Sequence, residues 1–330
     1  MKSQEEILTE DVFGDDVNDG KDLCRSAAKG GHLEVLRWLC ADGCPRNERT
    51  FAKAAAGGHL EVLKWMRENG CLWNWGTCAG AAGRGHLEVL KWARASGCPW
   101  EKHTCMFAAA GGHLEVVKWA RENGCPWDHE TCAFAAEVGN LETLQSLRFN
   151  GCPWTVDTPG RAAMGGHLEV LKWARKHGCP WDVMTCAAAA LGGHLEILQW
   201  ARANGAPWDV TTCAGAATNK RVVLKWAREH GCPWNKHACN YAAAPGKFEI
   251  LKWAHGNGCP CDMREVFVNA AKNGHPVIMN WARARNGGFG LGVQGLGLTD
   301  RNGVGVFFHQ GGAATQNLLD LALISGSAPA

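Results

Sequence analysis

The chain has 330 residues, of which 46% are hydrophobic and 20% charged, and its formal net charge is only +2. So small an excess of Lys and Arg excludes a generic nucleic-acid binder, which needs surplus cations to displace counterions from phosphates. No apolar run approaches the roughly 18 to 20 residues that span a bilayer, so no membrane association is expected.

In chain order, residues 1–21 form an acidic segment without a signal-peptide pattern. An intracellular setting, cytoplasmic or nuclear, is therefore expected. Seventeen cysteines are many, yet their spacing follows a repeated frame and not a small secreted scaffold, which predicts buried reduced thiols.

The repeats occupy residues 22–285. The word Gly-His-Leu-Glu-Val-Leu-Arg/Lys-Trp starts at Gly31, Gly58 and Gly85, 27 residues apart, and returns around His113, His167 and His194. Weaker copies begin at Asn140, Lys220, Lys247 and His275, giving ten copies with spacings of 26 to 28. They leave no room for a separate catalytic domain, and no catalytic residue or cofactor is assigned.

One repeat shows the unit. A first helix is predicted near Thr131 to Glu137, with Cys132, Ala135 and Ala136 as its small apolar face, ended by the turn at Val138 and Gly139. In the neighbouring copy His113 opens a second helix whose Leu114, Val116, Val117, Trp119 and Ala120 make an apolar stripe at helical spacing. Gly124 is placed to close that helix with a positive φ, and Pro126 cannot continue it. Such a pair cannot bury its apolar faces alone, so it must stack on its copies.

Trp38, Trp65, Trp92, Trp119, Trp173, Trp200, Trp226, Trp253 and Trp281 recur at one position of the second helix. They are read as a buried structural ladder packed on the alanine pairs of the first helices. A second ladder follows the Gly-Cys-Pro turn at Trp73, Trp100, Trp127, Trp154, Trp181, Trp208 and Trp234. The fifth copy has Ser146 in place of Trp and Asn140 in place of His, which predicts a weak joint dividing the array into blocks 22–139 and 155–285.

Residues 286–330 are dense in Gly, and such a tail is expected to be disordered. Ala313 to Ile324 can form one short apolar helix, either capping the last repeat or staying mobile.

The words Gly112-His113-Leu114-Glu115-Val116-Val117-Lys118 and Ala135-Ala136 resemble the second helix and alanine pair of ankyrin repeats. Gly124-Cys125-Pro126-Trp127-Asp128 resembles the family's Gly-Ala-Asp-Val-Asn turn. The resemblance covers about four fifths of the chain and implies an all-α, ankyrin-like solenoid. It departs from the family's 33-residue period and Thr-Pro-Leu-His word, so about six residues of hairpin are missing and a shallower groove is expected.

The resemblance implies a protein-interaction scaffold that holds another protein on its concave face, with no catalysis of its own. Repeat-to-repeat variation within the frame selects the partner-binding candidates: Arg84, Lys102, His103, Phe107, His129, Phe134, Glu137, Asp157, Arg161, Met164, Met184, Leu191, Lys236 and Tyr241. By resemblance these lie on or beside that face, and their mixed chemistry suits a specific protein interface. Two alternatives stand beside it: a substrate-recruiting subunit of an enzyme complex such as a ubiquitin ligase, and a metal- or redox-responsive solenoid.

The recurring His residues stand before helices without a local nucleophile partner, which assigns them to helix starts and not to catalysis. Pairs such as Cys98/Cys105 and Cys125/Cys132 are seven residues apart, unlike the short clamps of structural zinc sites, so no metal is assigned. Cys259 and Cys261 flank Pro260 where the turn Trp is lost, and they are the better candidates for reactive thiols.

Overall fold

The computed structural model describes residues 23–43, 47–218 and 220–286. The acidic segment 1–21, the Gly-rich tail after 286 and its helix at 313–324 lie outside the described residues. Among the described residues there are twenty helices and no strand. They pair as ten helix-turn-helix repeats in two compact units that divide between Trp234 and Asn235. The first unit holds eight repeats and the second two, Lys236–Ala243 with Phe248–Gly256 and Met263–Lys272 with Pro276–Arg285.

Seven first helices start at an Asp or Asn whose side chain caps them, whereas Lys102–Ala110 and Asp157–Gly165 follow Glu101 and Val156 without a side-chain cap. Asp128 accepts the backbone N–H of Glu130 at 3.0 Å, and Asp182 and Asp209 accept those of Met184 and Thr211 at 2.9 Å. The predicted first helix is observed as His129–Glu137, and the second as Leu114–Glu122. Gly124 and Gly139 adopt φ of 84° and 76°, the left-handed conformation that closes a helix without a Cβ penalty.

Within the first unit, the backbones of first helices of successive repeats approach closely, while those of second helices lie farther apart. Small residues permit this approach: a Cβ on Gly80 would lie 2.7 Å from the Ala52 carbonyl. The first-helix layer is therefore the inner face. The core holds the alanines, the cysteines, a buried Thr in each of seven first helices, and one fully buried aliphatic of the second helix such as Leu90, Leu171 or Leu198.

The tryptophans are placed differently from the expectation. Those on second helices are half-buried, and Trp38 is 67% exposed. They cover the edge of the core, as where Trp119 packs against the buried Cys105, Ala120 and Cys125. There they interlock with the second ladder edge to face, as in Trp100 with Trp119 at 5.9 Å and Trp154 with Trp173 at 5.8 Å. An arginine from the preceding second helix covers each turn Trp, for example Arg94 over Trp100 at 4.1 Å. Such contacts contribute about 0.5–1.5 kcal/mol each.

The histidines do more than start helices. None caps with its side chain. Instead Nε2–H donates to a carbonyl of the preceding repeat: His59 to Lys29 at 2.8 Å, His86 to Ala56 at 3.1 Å and His194 to Met164 at 3.0 Å. The ring fills the space above the preceding repeat's glycine, where a Cβ on Gly58 would meet His86 at 2.7 Å. The Gly-Gly-His word thus joins adjacent repeats.

Burial lowers the pKa of His113 below its ordinary 6.5. The unfolded chain is then protonated before the folded one as pH falls. Stability is complete above the ordinary value and drains as pH drops toward the folded value. His113→Asn, which copies Asn140, should flatten part of the stability loss between about pH 7 and pH 5 in urea melts. An unchanged slope would contradict this role.

The fifth repeat is not where the units divide. Leu144 and Leu147 remain buried, Asn140 Nδ2 donates to the Gly112 carbonyl at 3.4 Å, and Asn140 also caps Thr143. Ser146 takes the place that Trp119 fills one repeat earlier, against Trp100 and the buried Cys105, Ala120 and Cys125.

Candidate functional site

The starts and ends of the first helices in repeats three to six bring eight of the predicted binding residues into one patch. Lys102 reaches across to the next repeat, where its Nζ donates to Asp128 Oδ2 at 2.7 Å and Glu130 Oε2 at 2.8 Å. Asp128 thereby caps a helix through one oxygen and bridges two repeats through the other. These carboxylates, Asp128 first, hold the Lys102 ammonium well above the ordinary lysine range.

One repeat further, His129 Nε2 lies 3.9 Å from Asp157 Oδ2. Arg161 donates to Glu137 Oε2 at 2.6 Å, and its guanidinium sits 4.7 Å above the Phe134 ring. His129, Glu130, Ala133, Phe134, Asp157 and Arg161 line a cavity of about 230 Å³. On the other side of the patch His103 stacks on Trp75 at 4.8 Å, with Phe107 6.5 Å from His103.

Phe107 corrects the sequence reading. It is 5% exposed and packs with Ala79 and Met106, with Trp75 and Phe134 against them. It supports the patch from beneath, because the small Ala79 of the preceding repeat leaves room for the ring.

The remaining candidates are more scattered. Met184 is 53% and Leu191 41% exposed. Met164 is half-buried and contributes its carbonyl to His194. Arg84 ends the helix Trp75–Gly83 and lines a second cavity, about 350 Å³, with Lys29, Lys53, Ala56, Gly57 and His86. Lys236 and Tyr241 belong to the second unit, where Lys236 donates to Glu265 Oε1 at 2.5 Å and Tyr241 is exposed. Lys236, then Asn240, lowers the Glu265 carboxyl below its ordinary range.

Sequence reasoning missed Trp75, although it had a signal, since it stands outside both tryptophan ladders. Variation within the repeat frame marks Asp128 and Glu130, but nothing in linear spacing shows that Lys102 reaches over a whole repeat to pair with them.

The cysteines meet across the hairpin and not at the seven-residue spacing. Cys78 contacts Cys98, Cys105 contacts Cys125, and Cys132 contacts Cys152. The turn thiol also donates to the carbonyl that starts its own repeat, Cys98 to Asn74 at 3.4 Å and Cys152 to Asp128 at 3.3 Å. The paired sulfur and then burial hold the Cys78, Cys105 and Cys152 thiols above the ordinary range. Burial pushes Cys179 and Cys186 up to about 12. Such thiols are packing groups more than nucleophiles.

Stacked helix-turn-helix units with a closely packed first-helix layer make this a helical repeat protein. Among solved structures the chain is similar to the crystal structure of the human ASB11 ankyrin repeat domain. Identity is 22%, coverage 48% of this chain and 84% of that chain, and the TM-score 0.39. No protein-family model and no curated protein matches it. Among the described residues, no helix is long and apolar enough to cross a membrane.

Proposed function

We propose that the chain is a protein-interaction scaffold that holds a partner on the inner face of its first unit, over repeats three to six. The observation that carries this reading is the bridged patch itself, where half-exposed aromatic, cationic and acidic side chains from consecutive repeats are held against one another. Preordered groups lose less side-chain entropy on binding than free ones, which favours affinity. Four carboxylates, Asp128, Glu130, Glu137 and Asp157, share the patch with two fixed cations, Lys102 and Arg161. The patch therefore suits a partner segment with basic residues and an apolar anchor for the surface around Phe134. Recruiting a substrate to an enzyme complex is one form this holding function can take.

The test compares the full chain as bait with a variant carrying Lys102→Ala, His129→Ala, Asp157→Ala and Arg161→Ala. Phe107 is left intact because truncating it damages the core. A partner held by the parent and at least about tenfold more weakly by the folded variant is the expected result. Equal capture by both would place binding elsewhere.

A further inference from the structure

In the first unit the turn thiol and the first-helix thiol of each pair face each other, with an Arg–Trp couple over the turn: Arg228 lies 4.2 Å from the Trp234 ring, beside Cys232. Twenty-seven residues later both members of that couple are exchanged. Arg228 corresponds to His255, and Trp234 to Cys261. The exchange removes a fixed guanidinium and adds a third sulfur to the pair Cys239 and Cys259.

The Sγ atoms of Cys239, Cys259 and Cys261 all lie within 4.8 Å of one another. Cys239 is 0% and Cys259 4% exposed, while Cys261 is half-buried. Cys259 donates to the Asn235 carbonyl at 3.3 Å, which fixes its sulfur toward the first helix. Cys239 and Cys261 are joined as a disulfide with Cα atoms 5.5 Å apart. The described thiol pairs of the first unit, Cys78/Cys98, Cys105/Cys125, Cys132/Cys152 and Cys213/Cys232, remain unoxidised. A thiol reductant supplies the reduced form of this trio.

We propose that, when reduced, Cys239, Cys259 and Cys261 form a three-thiolate site for a soft divalent ion of the zinc class. Zinc–sulfur bonds of about 2.3 Å put neighbouring sulfurs roughly 3.8 Å apart, within the span the backbone already imposes. Binding forms three S–Zn bonds and releases the three thiol protons to solvent. The half-buried side at Cys261 leaves the fourth position to water. Position 255 is His where the preceding repeats place an Arg over the turn.

The experiment uses the full chain purified under a thiol reductant, then freed of reductant and titrated with Co²⁺ and Zn²⁺. The expected result is one cobalt equivalent with a thiolate-to-cobalt charge-transfer band, bleached by zinc. Cys261→Trp restores the frame residue and should fold, with its helical signal intact and the band lost. Cys239→Ala, which places a common first-helix residue there, should lose it too. Absence of the band in the reduced parent, or an undiminished band in folded Cys261→Trp, overturns the proposal. So does peptide mapping of the anaerobically isolated chain that finds Cys239 joined to Cys261 while Cys98 and Cys125 alkylate freely.

Discussion

Leu171→Ala is expected to destabilise the first unit by about 2–5 kcal/mol, whereas Trp173→Ala, two residues along the same helix, should cost only about 1–2 kcal/mol. Leu171 is fully buried where first and second helices meet, so its loss removes transfer energy and leaves a cavity that rigid alanine neighbours cannot fill. Trp173 is half-buried and loses chiefly its edge contact with Trp154 and its packing on His177 at 4.4 Å. Urea melts of the two variants decide it. A larger loss for Trp173→Ala would mean that the tryptophan ladder is the core after all.

The second expected result concerns the close approach of neighbouring repeats. A Cβ on Gly165 would lie 2.2 Å from the Glu137 carbonyl oxygen and 2.7 Å from the His167 ring. The carbonyl is backbone and cannot swing aside, so Gly165→Ala must push one repeat off the next. The cost should be about 1–3 kcal/mol. Gly160, in the same helix Asp157–Gly165, has nothing within 4 Å of the position a Cβ would take. There the gain in helix propensity should dominate, and Gly160→Ala should stabilise by about 0.5–1 kcal/mol. Opposite signs from the same substitution five residues apart, measured by denaturant unfolding, are the expected outcome; equal signs would contradict the geometry.

Much of this architecture is legible in linear order. The stripe Leu114, Val116, Val117 and Ala120 marks the second helix, and Gly124 and Gly139 mark turns that adopt the expected left-handed backbone. Helix periodicity and turn chemistry are local, so one chain suffices to read them. What depends on stacking is not local. Cys98 is seven residues from Cys105 in sequence yet meets Cys78, because the hairpin returns after twenty. Trp residues look fully buried by hydrophobicity alone, yet in the stack they are half-buried, packed against the core from its edge as Trp119 is against Cys105, Ala120 and Cys125. Phe107 and Phe134 hold equivalent frame positions, and only the first is buried, since what lies beneath each is set by the preceding repeat.

The candidate site was legible to the same extent. Variation within the repeat frame selected Lys102, His129, Glu137, Asp157 and Arg161. Their pairing across repeats, Arg161 with Glu137 and Lys102 with Asp128 and Glu130, emerges only in the stack.

The most direct test of the binding surface is hydrogen exchange on the full chain with and without a partner captured by the parent and not by the four-site variant. A partner seated on the inner face should slow exchange in residues 102–107, 128–137 and 157–164 and leave the second helix Leu114–Glu122 unchanged. Slowing confined to the second helices and the tryptophan turns would place the partner on the outer surface and contradict the inner-face scaffold.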